Sequence, residues 1–135
     1  MKPRQVSRKV ESLLILRESK LDPSDAEWDE TLRILAEHRH EIDQIKVLVV
    51  SDGGGPTQAQ RKRLERTLEG KPIRVAVVSD SMKVCFICSS VALFTSNLSS
   101  FRVSEIREAY SWLNLSEHEK TLADQNVAKM NELIE

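Results

Sequence analysis

The chain has 135 residues, which is the usual length of one domain. Hydrophobic residues make up 40% and charged residues 30%, with a formal net charge of −1, so the composition excludes a disordered chain and argues against a strongly basic protein that coats nucleic acid. No apolar run approaches the roughly 20 residues of a membrane span, and no signal-peptide pattern follows the basic N-terminus. We therefore expect a cytoplasmic protein without a membrane span.

Residues 12–17 predict a short strand, paired with residues 6–10 before it. Ser24 and Glu27 have the spacing of a capping box, in which each side chain satisfies a backbone amide at a helix start. The apolar residues that follow at helical intervals predict a helix over 24–41.

Residues 45–50 are β-branched and mostly apolar, as is typical of a strand covered on both faces. A glycine loop follows, and Thr57 with Gln60 forms a second capping box that predicts a helix over 57–69. Residues 73–78 repeat the buried-strand pattern.

Residues 82–94 predict a third helix that is apolar nearly all round and therefore either covered or part of an interface. A strand is predicted over 99–103, followed by a fourth helix capped by Ser104. A capping box at Ser116 opens the final helix, whose apolar stripe is Ala123, Val127, Met130 and Ile134.

Strands that alternate with helices predict an α/β fold. We expect a four- to five-stranded, largely parallel or mixed sheet with flanking helices and an extra C-terminal helix. The domain would span residues 1–115, and residues 116–135 would form a helical extension.

The charges are segregated along the chain. Residues 1–20 carry six basic and two acidic side chains, whereas residues 21–43 carry two basic and eight acidic ones. Residues 57–71 carry five basic and two acidic side chains, and residues 116–135 carry two and five. Such patches are either solvated helix faces or surfaces that select a partner.

The glycine loop is the strongest candidate site, because it joins the end of a strand to a helix N-terminus that attracts anions. We predict a partner- or anion-binding loop made by Ser51, Asp52, Gly53, Gly54, Gly55 and Thr57. The loop lacks the Gly-Lys-Ser/Thr ending of a nucleoside-triphosphate site, and the alternative is a flexible turn before a capped helix. The basic side chains after it, Arg61, Lys62, Arg63 and Arg66, form a candidate interaction face, although interleaved glutamates and few aromatics argue against nucleic acid.

Other reactive residues do not form a recognisable catalytic or metal-binding set. Cys85 and Cys88 form a C-x-x-C pair about one turn inside an apolar helix, where thiols behave as small hydrophobes. His38 and His40 point to different sides of a helix, and His118 is isolated. We therefore expect no enzyme activity, no metal and no cofactor.

The chain resembles the STAS domain, in its SpoIIAA-like branch of bacterial anti-sigma-factor antagonists, over residues 10–115. The resemblance rests on Leu13–Leu16, Asp22-Pro-Ser-Asp-Ala-Glu-Trp28, Lys46-Val-Leu-Val-Val50, Arg74–Asp80 and Phe101–Leu113. It implies a docking surface at the helix start after the central strand, where a family serine is phosphorylated by a partner kinase. Here the family's Asp-Ser-Ser-Gly is replaced by Asp52-Gly-Gly-Gly-Pro-Thr57, which leaves Thr57 and Ser51 as candidate phosphoacceptors.

The sequence thus predicts a non-enzymatic protein–protein interaction module in bacterial regulatory signalling, with a kinase or anti-sigma-type regulator as partner. One alternative is a binder of a small anionic or apolar ligand, held at the glycine loop or under helix 82–94. A second is a structural protein that oligomerises through its C-terminal helix, and a redox enzyme is a more distant one.

Overall fold

One five-stranded sheet forms the centre of the structure, a computed structural model that describes residues 2–92 and 97–134. Its strands are β1 Gln5–Val10, β2 Leu13–Glu18, β3 Lys46–Ser51, β4 Arg74–Val78 and β5 Leu98–Phe101. The α-helices are α1 Asp25–Glu37, α2 Gln58–Leu68, α3 Met82–Ala92, α4 Ile106–Trp112 and α5 Glu117–Asn131. β1 pairs antiparallel with β2 and the other neighbours pair in parallel, which confirms the predicted α/β class with a mixed sheet.

The strands lie in the sheet in the same order as in the chain. Because crossovers between parallel strands are almost always right-handed, a sheet whose order never reverses places all its crossover helices on one face. The packing agrees with this rule, since α1, α2 and α3 share a core with residues of β2, β3 and β4 such as Leu14, Val49 and Val77. We call this side of the sheet the crossover face.

The opposite face of the sheet is covered by α4 and α5. Tyr110 of α4 and Ala123 and Met130 of α5 are buried against Leu13 and Leu48 of the strands. The apolar stripe predicted for the C-terminal helix is therefore occupied within one copy of the chain.

Polar contacts fix the N-terminal end of α5 to the sheet. Glu119 accepts hydrogen bonds from Ser12 Oγ at 2.8 Å and from Lys46 Nζ at 2.9 Å. Although burial alone would raise the pKa of Glu119, the Ser116 amide and these two side chains hold it down to about 2. Glu119 therefore joins the C-terminal helix to the turn before β2 and to β3 as a charged group.

The capping boxes predicted at Ser24, Thr57 and Ser116 are all confirmed. The first helix is shorter than the predicted 24–41, because it ends at Glu37 and the chain continues as a 3₁₀ helix over Arg39–Gln44.

The predicted fourth-helix cap is wrong. Ser104 lies within a 3₁₀ turn, Val103–Glu105, and α4 begins at Ile106. The third helix is described to Ala92, so the predicted members Leu93 and Phe94 lie outside the described residues. Among the described helices, none has the length and apolar character needed to cross a membrane.

The opposed charges of two neighbouring segments meet between α1 and α2. Arg63 of α2 forms an ion pair with Asp29 of α1, which joins the basic segment to the acidic one. The neighbouring pair of Arg39 with Glu69, at 3.0 Å, has the reverse polarity, because its cation belongs to the acidic segment and its carboxylate to the basic one.

Candidate functional site

The glycine loop lies at the carboxyl ends of β2 and β3, where Ser51 is paired in register with Glu18. Ser51 is 3% exposed, and its hydroxyl donates to the Gly54 carbonyl at 2.5 Å. Asp52 receives two hydrogen bonds from the Arg17 guanidinium, at 3.0 and 3.2 Å.

The backbone amides of this loop donate to acceptors of the chain itself. The pairs are Asp52 N to Glu18 O, Gly53 N to Ser51 Oγ, Gly54 N to Ser19 O, Gly55 N to Asp22 Oδ1 and Thr57 N to Gln60 Oε1. Anion-binding loops instead direct free amides at the ligand. The loop geometry therefore gives little support to the anion site predicted from the sequence.

Two of the three glycines are required by the path of the chain. A Cβ on Gly54 would lie 2.1 Å from the Leu21 carbonyl oxygen, so the segment after β2 could not approach as it does. Gly53 has a φ of 142°, which residues with a side chain rarely adopt. Gly53 and Gly54 thus allow the loop to pack closely against residues 19–22.

The two candidate phosphoacceptors differ in access. The Ser51 hydroxyl is buried and hydrogen-bonded, whereas Thr57 is exposed at the start of α2. The Thr57 hydroxyl accepts the Gln60 amide as the helix cap, at 3.2 Å.

The four residues of the predicted basic face have different surroundings. Arg61 donates to the Pro56 carbonyl at 2.9 Å, and Arg63 is paired with an α1 carboxylate. Lys62 and Arg66 are exposed. The structure therefore leaves two of these cations extended into solvent rather than one continuous basic surface.

A cavity of about 330 Å³ lies between the crossover face of the sheet and helices α1–α3. Its floor consists of aliphatic side chains from four parallel strands, including Leu14, Val47, Val75 and Leu98. The apolar face of α3 contributes Val84, Ile87, Cys88 and Val91 to its wall. The cavity thus lies under α3, the helix that the sequence predicts to be either covered or part of an interface.

One end of the cavity adjoins the glycine loop. Gly53, Gly54 and Gly55 contribute to its lining, as do Arg61 and Lys83, which reach solvent. These partly exposed side chains mark the place where the cavity meets water. The loop and α3, which sequence reasoning treated as separate candidates, thus border one site.

Glu18 is the unexpected member of the site. Its side chain lines the cavity, it is 2% exposed, and its Oε2 atom has no hydrogen-bond partner among the described residues. Burial, reinforced by the nearby Asp22 carboxylate and opposed by Arg17, raises the pKa of Glu18 to about 8. This shift favours the protonated, uncharged form of Glu18 at neutral pH.

The cysteines and histidines do not assemble a reactive centre in the described part of the chain. Both thiols are free, and burial, with a smaller contribution from Cys85, raises the pKa of Cys88 to about 11. His38 Nδ1 lies 2.8 Å from the Ile34 carbonyl, and His118 lies beside Glu11. In residues 2–92 and 97–134, no group of three or more His, Cys, Asp or Glu side chains is placed to hold a metal ion.

Sequence reasoning missed Glu18 because a glutamate at the end of a strand is ordinarily a solvent-facing residue. The available signal was its position two residues after Leu16, which places it on the face of β2 that Leu14 and Leu16 bury.

Comparisons with family models, with curated proteins and with solved structures give no match to this chain.

Proposed function

We propose that this protein binds a small apolar molecule in the cavity beneath α3, without catalysing a reaction on it. The observation that carries this proposal is the cavity itself. Its volume of about 330 Å³ falls within the range of roughly 300–1,000 Å³ that small-molecule sites occupy. Its walls are mainly aliphatic, and they come from four strands and three helices that already hold one another in place.

The apolar lining of the cavity supports an occupant. One end of the cavity meets water, and water gains little there because aliphatic walls offer few hydrogen-bond partners. A ligand that displaces this water would be stabilised by about 25 cal/mol for each Å² of apolar surface that it and the walls bury.

The proposal is tested by filling the cavity. Val77 lies on its floor, so Val77→Phe should place an aromatic ring in the space that the ligand needs. Native mass spectrometry of protein isolated from its own cells should show one bound small molecule, which Val77→Phe loses. The same substitution at half-exposed Val103, away from the cavity, should leave the bound mass unchanged. A bound mass that persists unchanged in folded Val77→Phe would refute this site.

Protein–protein interaction is a second candidate function, which a separate observation favours. Met82 and Phe86 are 87% and 74% exposed and lie one turn apart on the outer face of α3. The segment that precedes α1 lies nearby, since Lys83 pairs with Asp22 at 3.3 Å. We suggest that this apolar face, together with the glycine loop, docks another protein in the bacterial cytoplasm. On the STAS resemblance, that partner would be a kinase or an anti-sigma-type regulator.

The second candidate is tested on that apolar face. Phe86→Ser should abolish cross-linking to a kinase or an anti-sigma-type regulator in extracts of its own cells, while Leu133→Ser, at another exposed position, should not. Equal cross-linking by both variants would remove the candidate.

A further inference from the structure

The polar groups around the cavity allow its ligand to be specified more closely. Thr31 Oγ1 is hydrogen-bonded to Gln5 and Ser7, Trp28 Nε1 donates to the Gln60 carbonyl at 2.9 Å, and Ser51 is bonded within its loop. Glu18 alone among the cavity-lining polar side chains of the described residues has a buried oxygen without a partner. A buried polar group of this kind is costly unless something bonds to it.

The cations near Glu18 are already engaged elsewhere. The Arg17 guanidinium bonds to Asp52, Lys83 pairs with Asp22, and Arg61 donates to a loop carbonyl. Gly55 comes close on one side, since a Cβ there would lie 3.5 Å from Glu18 Oε2. The carboxyl group therefore lies at the loop end of an apolar chamber, with no positive charge bound to it.

The volume limits the size of the occupant. About 330 Å³ is near the lower end of the roughly 300–1,000 Å³ that small-molecule sites occupy, so the ligand is small. The lining also extends across four strands, which is roughly 14 Å at about 4.8 Å between neighbours, so the chamber does not require a straight chain.

We propose that Glu18 recognises the polar end of the ligand, and that the ligand is a small apolar molecule that ends in an uncharged hydroxyl group. This inference rests on the proposed ligand-binding function. A neutral carboxylic acid both donates and accepts a hydrogen bond, as a hydroxyl does, so the two groups can satisfy each other. A ligand carboxylate would lie near the Asp22 carboxylate and would lose its hydration inside an aliphatic chamber, at a high desolvation cost. A ligand ammonium would require Glu18 to ionise within an aliphatic wall, at a high desolvation cost.

The test compares 1-octanol, octane, octylamine and octanoate as probes. Trp28 lines the cavity, so its fluorescence can report binding in a Trp112→Phe background that removes the other tryptophan. The titrations are made on protein with Glu18, with Glu18→Gln, which keeps a donor and an acceptor, and with Glu18→Leu, which keeps neither. Urea unfolding establishes that each variant is folded.

We expect 1-octanol to bind best of the polar probes. Its preference over octane should be about tenfold larger with Glu18 than with Glu18→Leu, and Glu18→Gln should keep most of that preference. An equal preference in the Glu18→Leu variant would overturn the role of Glu18 while leaving the proposed function intact. Tighter binding of octylamine or octanoate than of 1-octanol would overturn the uncharged head group. Failure of all four probes to bind would overturn the proposed function and, with it, this inference.

Discussion

Glu18→Gln should change how the stability of the protein depends on pH. Above pH 4.5 the carboxyl group ionises readily in the unfolded chain, whereas in the folded protein its pKa is raised to about 8. Between pH 4.5 and about pH 8, the folded state therefore holds about one more proton than the unfolded state. The free energy of unfolding must therefore fall as pH rises, by about 1.4 kcal/mol per pH unit.

This slope gives a measurable difference between wild type and variant. From about pH 5.5 to about pH 7.5, wild type should lose roughly 3 kcal/mol that Glu18→Gln retains. Urea denaturation followed by circular dichroism at several pH values gives both curves, and their difference removes the contribution of every other group. Glu117→Gln, at a side chain that is 92% exposed, makes the same chemical change at the surface and should run parallel to wild type. Parallel curves for wild type and Glu18→Gln would refute the burial of a neutral carboxylic acid.

Three further predictions concern other parts of the fold. Glu119→Gln should cost roughly 3 kcal/mol at neutral pH, because the pKa of Glu119 is held at about 2 and its contribution is lost only as pH falls from 4.5 toward that value. Gly54→Ala should cost roughly 2–3 kcal/mol in urea unfolding, because its Cβ would overlap a backbone carbonyl, whereas Gly55→Ala should cost less than about 1 kcal/mol. Cys88 should react with a disulfide reagent at least about tenfold more slowly than Cys85, because burial raises the pKa of its thiol to about 11.

Each of these predictions has an outcome that contradicts it. Equal acid sensitivity of wild type and Glu119→Gln would mean that the contacts of Glu119 to Ser12 and Lys46 do not persist in solution. Equal stability of the two glycine variants would mean that residues 19–22 do not lie against the loop. Equal thiol reactivity, measured by mass spectrometry of the labelled peptides, would mean that α3 does not bury Cys88 against the sheet.

Local features of this protein could be predicted from the sequence to within a few residues. The three capping boxes were found because each depends on two side chains three positions apart, such as Ser24 and Glu27. The buried strands were found because their apolar residues are contiguous. The α/β class followed from the alternation of these elements.

The candidate site could not be predicted in the same way, because it depends on contacts between distant segments. The amides of Gly54 and Gly55 donate to Ser19 and Asp22, and 33 positions of sequence separate Gly55 from Asp22. The cavity exists because side chains from four strands and three helices stop short of one another, a property that no single segment encodes. The helix predicted as apolar nearly all round divides into an inner face on the cavity and an outer face that exposes Met82 and Phe86.

The attachment of α5 to β2 has a consequence for synthesis of the chain. Each strand from β2 to β5 pairs with the strand just before it, so the sheet can assemble in the order in which it leaves the ribosome. Ser12, however, is hydrogen-bonded to Glu119, which is synthesised 107 residues later, and Arg17 is hydrogen-bonded to Asn131. At roughly ten residues per second, α5 follows β2 by about ten seconds, so Leu13 and Ile15 lack its cover for that interval. During this interval the uncovered apolar side chains make the nascent chain prone to aggregation.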